Sequence, residues 1–258
     1  MHNTLMNDLL KTISPPQRII SVVPSQTELL YDLGLRDEVI GITKFCIHPN
    51  EWFRSKTRIG GTKNLHIDRI HALQPDLILA NKEENTKAQI EELQHHYPVY
   101  VSDINDIPSA LRMISDIGEL VHKQNEAEEI ISTIEHERKQ TPIRENPLST
   151  IYLIWQDPYM AAGNDTFIND MLRMAGFKNC MLQARYPILS DIELQNMNPA
   201  LILLSSEPFP FKQKHIDAFG RLCPNAQIRL VDGELFSWYG SRMSQSFKYF
   251  SGLHEDLR

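Results

Sequence analysis

Cys46 and His48 are the residues whose types come nearest to a nucleophile pair or a metal-ligand pair. A thiolate and an imidazole suit both roles. One intervening residue in an aromatic-rich loop, however, defines neither site. Ser25 stands at the start of a predicted helix, where a hydroxyl is better explained as a cap than as a nucleophile. The sequence contains no GxSxG, HExxH, phosphate-loop or GxGxxG motif, so its motifs define no active site.

A larger set of aromatic and polar residues falls in the loops that follow predicted strands. In open α/β sheets, ligands bind beyond the carboxyl ends of the strands. Aromatic rings in such loops suit a broad, partly apolar ligand stacked between two walls. The candidate ligand-binding residues are Ser25, Gln26, Phe45, Cys46, His48, Lys63, Glu84, Trp155, Tyr159, Glu207, Phe209, Trp238, Tyr239 and Arg242.

The elements that must position these residues alternate between strands and helices, which predicts an α/β fold with mainly parallel sheets. Predicted loops separate some of them, namely an aromatic-rich loop over 45–53 and a glycine-rich loop over 60–64. The predicted strands of the first half are 18–23, 38–43, 77–80 and 98–101, and its predicted helices are 25–33, 67–73, one that starts at Glu83–Asn85, and 108–121.

The order of elements repeats about 124 to 129 residues later. Pro199–Leu204 echoes Pro75–Ala80, and Ile228–Asp232 echoes Val99–Asp103. A helix predicted over 166–175 ends at Gly176, as the first helix ends at Gly34. This repetition predicts two similar α/β lobes.

A single long helix, Asn125–Gln140, lies between the two halves. Asn125 and Glu128 resemble a capping box, and Ala127, Ile130, Ile131 and Ile134 form a narrow apolar stripe. At about 1.5 Å per residue, the helix spans roughly 24 Å, enough to bridge two lobes. We therefore predict an N-terminal α/β lobe over 1–123, a bridging helix over 124–141 and a C-terminal α/β lobe over 142–258.

Composition excludes several classes of partner. A net charge of -7, from 26 Lys and Arg against 33 Asp and Glu, disfavours a nucleic-acid surface. No stretch approaches the roughly 20 apolar residues of a membrane helix. Cys46, Cys180 and Cys223 form no CxxC pair and are expected to be free thiols.

The residues Met1–Lys11 show no basic, apolar or small-residue signal regions. The chain as written is therefore expected in the cytoplasm, or in the periplasm or anchored to a membrane if a leader was removed. We expect a monomer.

Four motifs in order identify a family resemblance: Arg18–Leu30, Ile40–Thr43, Ile59–Thr62 and Ile70–Ala80. The chain resembles the class III substrate-binding proteins of ABC importers, the cobalamin and ferric-siderophore receptors that are also called helical-backbone metal receptors. The resemblance runs through nearly the whole chain. It implies two α/β lobes joined by a rigid helix, a ligand held between them, and no chemistry performed on that ligand.

The resemblance also implies contacts with a membrane permease, through one acidic residue on each lobe. Asp68, seven residues before Pro75, matches the first position. The second matching position is Ile192, seven residues before Pro199, with the acidic residues Asp191 and Glu193 on either side. Glu193 is the candidate for the second contact. The sequence therefore departs from the family pattern at the second position.

The candidate loops supply mainly aromatic rings, with Lys63 and Arg242 as the evident cations, which favours a cobalamin-like corrinoid over an anionic ferric siderophore. Haem suits the rings equally, and His48 could approach a metal axially. No intrinsic cofactor is expected. One alternative is a cytoplasmic metal-dependent or corrinoid-processing enzyme that uses Cys46, His48 and Glu207. A scaffold that has lost its ligand is a third possibility.

Overall fold

The computed structural model describes residues 14–141 and 145–256. Met1–Lys11, which show no signal regions in the sequence, lie outside the described residues. The described chain forms two compact units. Unit 1 contains the described residues of Met1–Ile104, Pro108–Ile134 and Tyr239–Arg242, and unit 2 contains those of Asn105–Ile107, Glu135–Trp238 and Met243–Arg258.

Unit 1 is built on a parallel five-stranded sheet in the order β3-β2-β1-β6-β7. A separate antiparallel pair, β4 and β5, forms a small hairpin. Every residue of β6 is buried, as expected for a parallel strand covered on both faces. The elements in chain order are β1 (Ile19–Ser21), α1 (Pro24–Asp32), β2 (Val39–Ile42), α2 (Asn50–Ser55), β3 (Thr57–Arg58), β4 (Gly60–Gly61), β5 (Asn64–Leu65), α3 (Ile67–Leu73), β6 (Leu77–Asn81), α4 (Lys87–Gln94), β7 (Val99–Ser102), α5 (Ile107–Leu120) and α6 (Gln124–Gln140).

The strands of unit 2 follow the order β11-β9-β8-β12-β13, and β10 also pairs with β8. Strands β8, β10, β12 and β13 are parallel, whereas β9 runs antiparallel to both β8 and β11. The elements in chain order are β8 (Leu148–Trp155), β9 (Tyr159–Ala161), α7 (Phe167–Met174), β10 (Phe177–Asn179), β11 (Ile188–Leu189), α8 (Asp191–Met197), β12 (Leu201–Ser205), α9 (Gln213–Leu222), β13 (Gln227–Val231), α10 (Glu234–Ser237) and α11 (Met243–Asp256).

The sequence repeat corresponds to a repeat of local structure. Helices α3 and α8 both contain seven residues, and each ends at a left-handed residue, Gln74 with φ 46° or Asn198 with φ 41°. A proline and then a fully buried five-residue strand follow in both cases. The predicted α/β fold with mainly parallel sheets is confirmed.

Helix α6 is continuous from Gln124 to Gln140, and the division between the units falls inside it, after Ile134. Ala127 and Ile134 are buried, as the apolar stripe predicts. Asn125 lies within the helix rather than before it, so Asn125 is not the N-cap that the predicted capping box requires. The lobe boundaries at 123 and 141 stay a prediction, and the compact units differ from them by including Tyr239–Arg242 in unit 1.

Three local predictions are wrong. The predicted loop over 45–53 contains the start of α2, because a helical turn at this point buries the Trp52 side chain. The helix predicted to start at Glu83–Asn85 starts instead at Lys87, because asparagine side chains hold the preceding residues in a turn. The glycine-rich loop over 60–64 contains the strands of a hairpin.

Within the described ranges, no helix combines the length and apolar character needed to cross a membrane.

Gly118 permits a close approach between α5 and α6, and this provides a test of the packing. A Cβ at Gly118 would lie 2.4 Å from the Cβ of Ala127. Gly118→Ala should therefore lower the unfolding free energy by about 1–3 kcal/mol through overpacking. Gly220 in α9 is the matched control, because no atom lies within 4 Å of its added Cβ. Gly220→Ala should raise stability by up to about 1 kcal/mol. Urea denaturation measures both, and equal effects would contradict the packing described.

Candidate ligand-binding site

The segment after β2 places apolar side chains outward over a buried anchor. Phe45 is 50% exposed and Ile47 is 42% exposed, whereas Cys46 between them has no exposed surface. The Cys46 Sγ lies 3.1 Å from the hydroxyls of both Thr27 and Thr43. Burial raises the pKa of the Cys46 thiol above its ordinary value. Cys46 therefore anchors the loop, and the prediction that it contacts a ligand does not fit this structure.

The same surface continues through the residues that follow. His48 is half-buried, and Phe53 on α2 is exposed. The Arg58 guanidinium lies 4.5 Å from the centre of the Phe53 ring, and the Lys44 Nζ lies 5.0 Å from that of Phe45. Each pair brings a cation to an aromatic face. The sequence analysis did not select Lys44, Phe53 or Arg58. Only the fold brings Arg58 to the face of the Phe53 ring.

Two asparagines at the end of β6 organise the turn that carries Glu84. The Oδ1 of Asn81 accepts from the backbone N–H groups of Glu83 and Glu84, at 2.8 and 3.0 Å. The Oδ1 of Asn85 accepts from the N–H of Asn81 at 2.7 Å. The amide of Asn85 donates to the carbonyls of Val22 and Thr62. Asn85 thus ties together the segments after β1, β4 and β6.

This asparagine turn was missed, although Asn residues directly after an apolar strand are a recognised turn signal.

Tyr239–Arg242, distant in sequence, is held in unit 1 by its side chains. The Tyr239 hydroxyl donates to Glu84 Oε1 at 2.6 Å. Burial, and then the Glu84 carboxylate, raise the pKa of Tyr239 well above 10.0. Gly240 has φ +127°, and a Cβ there would lie 3.3 Å from the Ser25 carbonyl. Glycine therefore suits both the backbone conformation and the close contact.

Arg242 forms a shielded ion pair with Glu28. Its Nε and Nη2 donate to the two carboxylate oxygens of Glu28 at 2.7 and 2.6 Å. The side chains are only 11% and 14% exposed. Arg242, predicted to contact a ligand, is therefore engaged within the protein, and the sequence pattern did not identify its partner Glu28.

Ser25 and Gln26 are buried in the first turns of α1. Ser25 does not cap the helix as predicted, because Val23 is the N-cap and Pro24 is the first helical residue. The Gln26 amide has no exposed surface and donates to the Ser102 hydroxyl at 2.6 Å. The prediction that Gln26 contacts a ligand does not fit this arrangement.

Lys63 lies at the tip of the β4–β5 hairpin and is exposed. Its Nζ donates to the Glu83 carbonyl, and its own carbonyl accepts from Thr86 at 2.8 Å. The hairpin borders a cavity of about 530 Å³ lined by Lys44, Phe45, Arg58, Gly60, Gly61, Thr62, Lys63, Asn64 and His66. We call this the hairpin cavity.

In unit 2, Trp155 and Phe209 form an aromatic pair at the carboxyl end of β8. Trp155 is the last residue of β8 and is 39% exposed. Its ring meets that of Phe209 edge to face, with centroids 5.7 Å apart. Phe209 in turn contacts Phe211 and His215, which are buried behind it. The pair therefore presents apolar surface on a rigid aromatic base.

Glu207 follows β12 and accepts hydrogen bonds from two donors at the end of α10. Its Oε1 accepts from Ser237 Oγ at 2.6 Å and from Trp238 Nε1 at 2.9 Å. Burial raises the pKa of the Glu207 carboxyl, and the Ser237 hydrogen bond opposes part of that rise. Trp238 is itself buried. Ser237, which sequence analysis did not select, completes this group.

Tyr159 is half-buried on β9, where its ring packs 5.1 Å from that of Phe219. Burial, and then the charge of the Asp191 carboxylate, raise the pKa of Tyr159 above its ordinary value. The Tyr159 ring is therefore packed against Phe219.

The two residues predicted to contact a permease differ in their exposure and in their hydrogen bonds. Asp68 is exposed in the first turn of α3. Glu193 accepts from the Ser190 N–H at 2.8 Å and from its hydroxyl at 2.7 Å, completing a capping box. Ile192 beside it is 67% exposed. Glu193 therefore has a structural role, while the apolar Ile192 is the exposed neighbour.

The structure gathers the predicted residues into two groups, one in each unit. Unit 1 contains Ser25, Gln26, Phe45, Cys46, His48, Lys63, Glu84, Tyr239 and Arg242, and unit 2 contains Trp155, Tyr159, Glu207, Phe209 and Trp238. Across residues 14–141 and 145–256, no cluster of three or more His, Cys, Asp or Glu side chains could hold a metal ion.

Two α/β units with parallel sheets, joined by a continuous helix and carrying aromatic residues after their strands, define a solute-binding-protein fold. The chain belongs to the family described as periplasmic binding protein, whose family model matches residues 19–219. The predicted family and fold class are thereby confirmed.

The chain is similar to an uncharacterised ABC transporter substrate-binding lipoprotein of Bacillus subtilis (strain 168), with 28% identity over 201 residues. The match covers 73% of this chain and 63% of that relative, so it spans less than two thirds of the relative's length. A vitamin B12-binding protein of Pectobacterium atrosepticum is 23% identical over 239 residues, covering 88% of this chain and 85% of the relative.

The apo periplasmic haem-binding protein from Roseiflexus sp. RS-1 has a similar fold, with a TM-score of 0.81 and 18% identity over 93% of this chain and 98% of that chain. These similar proteins are solute-binding proteins, which confirms the prediction of a binding protein rather than an enzyme.

The ion pair of Arg242 and Glu28 should stabilise unit 1 strongly. Arg242→Ala would leave Glu28 shielded and unpaired, with the Asp32 carboxylate also nearby. We expect it to lower the unfolding free energy by about 3 kcal/mol. The control is Lys82→Ala, which breaks an ion pair whose side chains are 61% and 42% exposed and should cost less than about 1 kcal/mol. Equal decreases in the unfolding free energy of Arg242→Ala and Lys82→Ala, measured by urea denaturation, would contradict the shielding of the Arg242 ion pair.

Glu207 should make stability depend on pH. Because its pKa in the folded chain is raised above 4.5, the folded chain keeps this proton to a higher pH than the unfolded chain does. Its contribution to the unfolding free energy therefore falls as the pH rises from near 4.5 through the folded pKa. Glu207→Gln keeps an oxygen acceptor and removes the titration, so urea denaturation across pH should show a shallower decline.

Glu193→Gln is the control, because the pKa of Glu193 is shifted in the opposite direction to that of Glu207. Hydrogen bonds from Ser190 lower the pKa of Glu193, so its contribution is present above 4.5 and is lost as the pH falls through the folded pKa. An unchanged pH profile in Glu207→Gln would rule out the proposed titration.

Proposed function

We propose that this chain is the solute receptor of an ABC-type importer and binds a large metal chelate, with a cobalamin-like corrinoid ahead of haem and ferric siderophores. The observation that carries the proposal is the exposed aromatic surface after the strands of each sheet. The vitamin B12-binding relative, which matches 88% of this chain, supports the corrinoid.

In unit 1, the contact surface would be Phe45, Ile47 and Phe53. Large apolar side chains at this exposure lose unfavourable contact with water when a ligand covers them. The buried Cys46 between Phe45 and Ile47 keeps both side chains outward before any ligand arrives. A surface already held in place loses less conformational entropy on binding.

Trp155 and Phe209 would form the contact surface in unit 2. Their edge-to-face contact holds the Trp155 ring in one orientation, and the rings of Phe211 and His215 support Phe209 from behind. A fixed indole ring suits stacking against the flat conjugated face of a corrin or porphyrin. His48 remains a candidate for axial approach to the metal.

The importer permease would be the protein partner. Asp68 supplies an exposed carboxylate for a charge-assisted contact with a permease arginine. The lipoprotein relative of Bacillus subtilis is described as an ABC transporter substrate-binding protein, which supports this assignment. The proposal places the chain where a membrane permease can reach it, whether in the periplasm or anchored at a membrane.

Isothermal titration of the purified chain with cyanocobalamin, haem and ferrichrome tests the ligand class. We expect saturation at one ligand per chain for one of these chelates. A chain shown to be folded by circular dichroism that binds none of them would contradict the proposal.

The Trp155 ring should carry a measurable part of the affinity. Trp155→Ala should weaken binding of whichever chelate saturates in the titration by about 1–3 kcal/mol, because the stacking surface is lost. Leu182→Ala is the control, since Leu182 is also an exposed large hydrophobic residue but lies in the connection after β10. Equal affinities for Trp155→Ala and the unsubstituted chain would exclude Trp155 from the site.

A further inference from the structure

The hairpin cavity is basic in a chain that is acidic overall. Residues 44–66 contain five Lys or Arg and one Asp or Glu, a net charge of +4. Because the whole chain has a net charge of -7, the remaining residues together have a net charge of -11. Lys44, Arg58, Lys63 and His66 from this segment line the same cavity. The positive charge is therefore concentrated by the fold, since these residues are up to 22 positions apart in sequence.

Among the residues that the structure describes, the Lys and Arg side chains of the cavity have no carboxylate partner. Across the described ranges, no salt bridge involves Lys44, Arg58 or Lys63, whereas Arg242, Lys82 and Lys123 are each paired with an acidic side chain. Arg58 donates to the Lys56 carbonyl and Lys63 to that of Glu83. A carbonyl accepts a hydrogen bond but does not neutralise the charge.

The acidic residue of the same segment does not line the cavity. Glu51 on α2 lies 3.5 Å from the Tyr31 hydroxyl, in contact with α1. Several positive groups therefore line the cavity, and its lining has no acidic side chain. Their mutual repulsion is relieved when an anion enters.

We propose that the hairpin cavity is an anion subsite that takes a carboxylate or phosphate group of the bound ligand. Lys44 and Arg58 provide the charge, and Phe45, under the Lys44 ammonium, provides an apolar wall for the part of the ligand next to the anion. Arg58 can donate in parallel to two oxygens of one anion. This inference rests on the proposed function for the identity of the ligand, and it narrows the ligand class to chelates that carry acidic groups.

Matched pairs of chelates test the subsite. Haem carries propionate carboxylates and its dimethyl ester does not, while cyanocobalamin carries a phosphodiester that dicyanocobinamide lacks. In titrations of Lys44→Gln/Arg58→Gln, affinity for the member with the anionic group, in whichever pair binds, should fall roughly tenfold or more. Affinity for the member without that group should stay unchanged. The haem pair reports a carboxylate and the cobalamin pair a phosphate.

Lys44→Gln alone keeps the test informative if the double variant fails to fold, because the Lys44 side chain is exposed. Lys87→Gln is the control, since Lys87 is 88% exposed and paired with Glu91 on α4. Raising the salt concentration should weaken binding of the chelate with the anionic group to the unsubstituted chain more than to Lys44→Gln. Equal affinity and equal salt dependence in both chains would overturn the subsite.

Titration with inorganic phosphate and with citrate separates this inference from the proposed function. If no chelate binds but either anion binds, and Lys44→Gln weakens that binding, the subsite stands and the proposed function fails. If a chelate binds with affinity that Lys44→Gln and Lys44→Gln/Arg58→Gln leave unchanged, the proposed function stands and the subsite fails.

Discussion

Burial of parallel strands on both faces is the constraint on which this structure depends. Strands β6 and β12 each have five residues without meaningful exposure, so helices must cover both sides of each sheet. Parallel strands also need crossover connections, which leave every strand of the parallel core ending at the same edge. The functional candidates gather at these edges because the loops there are free of the packing that fills the sheets.

Buried polar groups position the loops at the edge of unit 1. Cys46 lies between two threonine hydroxyls, Asn85 joins three segments, and Glu28 accepts both donors of Arg242. Each group is satisfied where water is excluded, so displacing a loop would leave buried polar atoms without partners. Exposed aromatic side chains are thereby held by contacts beneath them. These contacts hold the loops in place before any ligand arrives.

Unit 1 contains two kinds of cationic side chain, one paired with a carboxylate inside the protein and one lining a cavity. Arg242 is neutralised by Glu28 inside a shielded contact, whereas Lys44 and Arg58 line a cavity without acidic partners among the described residues. Sequence analysis selected Arg242 as a ligand cation because arginine in a loop after a strand suits an anion. The fold reverses that assignment, since pairing depends on which side chains meet in space. Lys44 and Arg58, which the sequence pattern did not select, line the hairpin cavity together with Lys63, which it did select.

The sequence by itself determined the α/β class, the repeat, the continuous helix and the loops that carry the candidate residues. These follow from local signals: apolar runs of strand length, helical spacing, and prolines and glycines at element ends. Only the tertiary structure decided which loop residues face outward. Phe45 and Cys46 are neighbours in sequence, yet one is exposed and the other buried. It also brought Tyr239–Arg242 into unit 1, because long-range hydrogen bonds leave no periodic trace in the sequence.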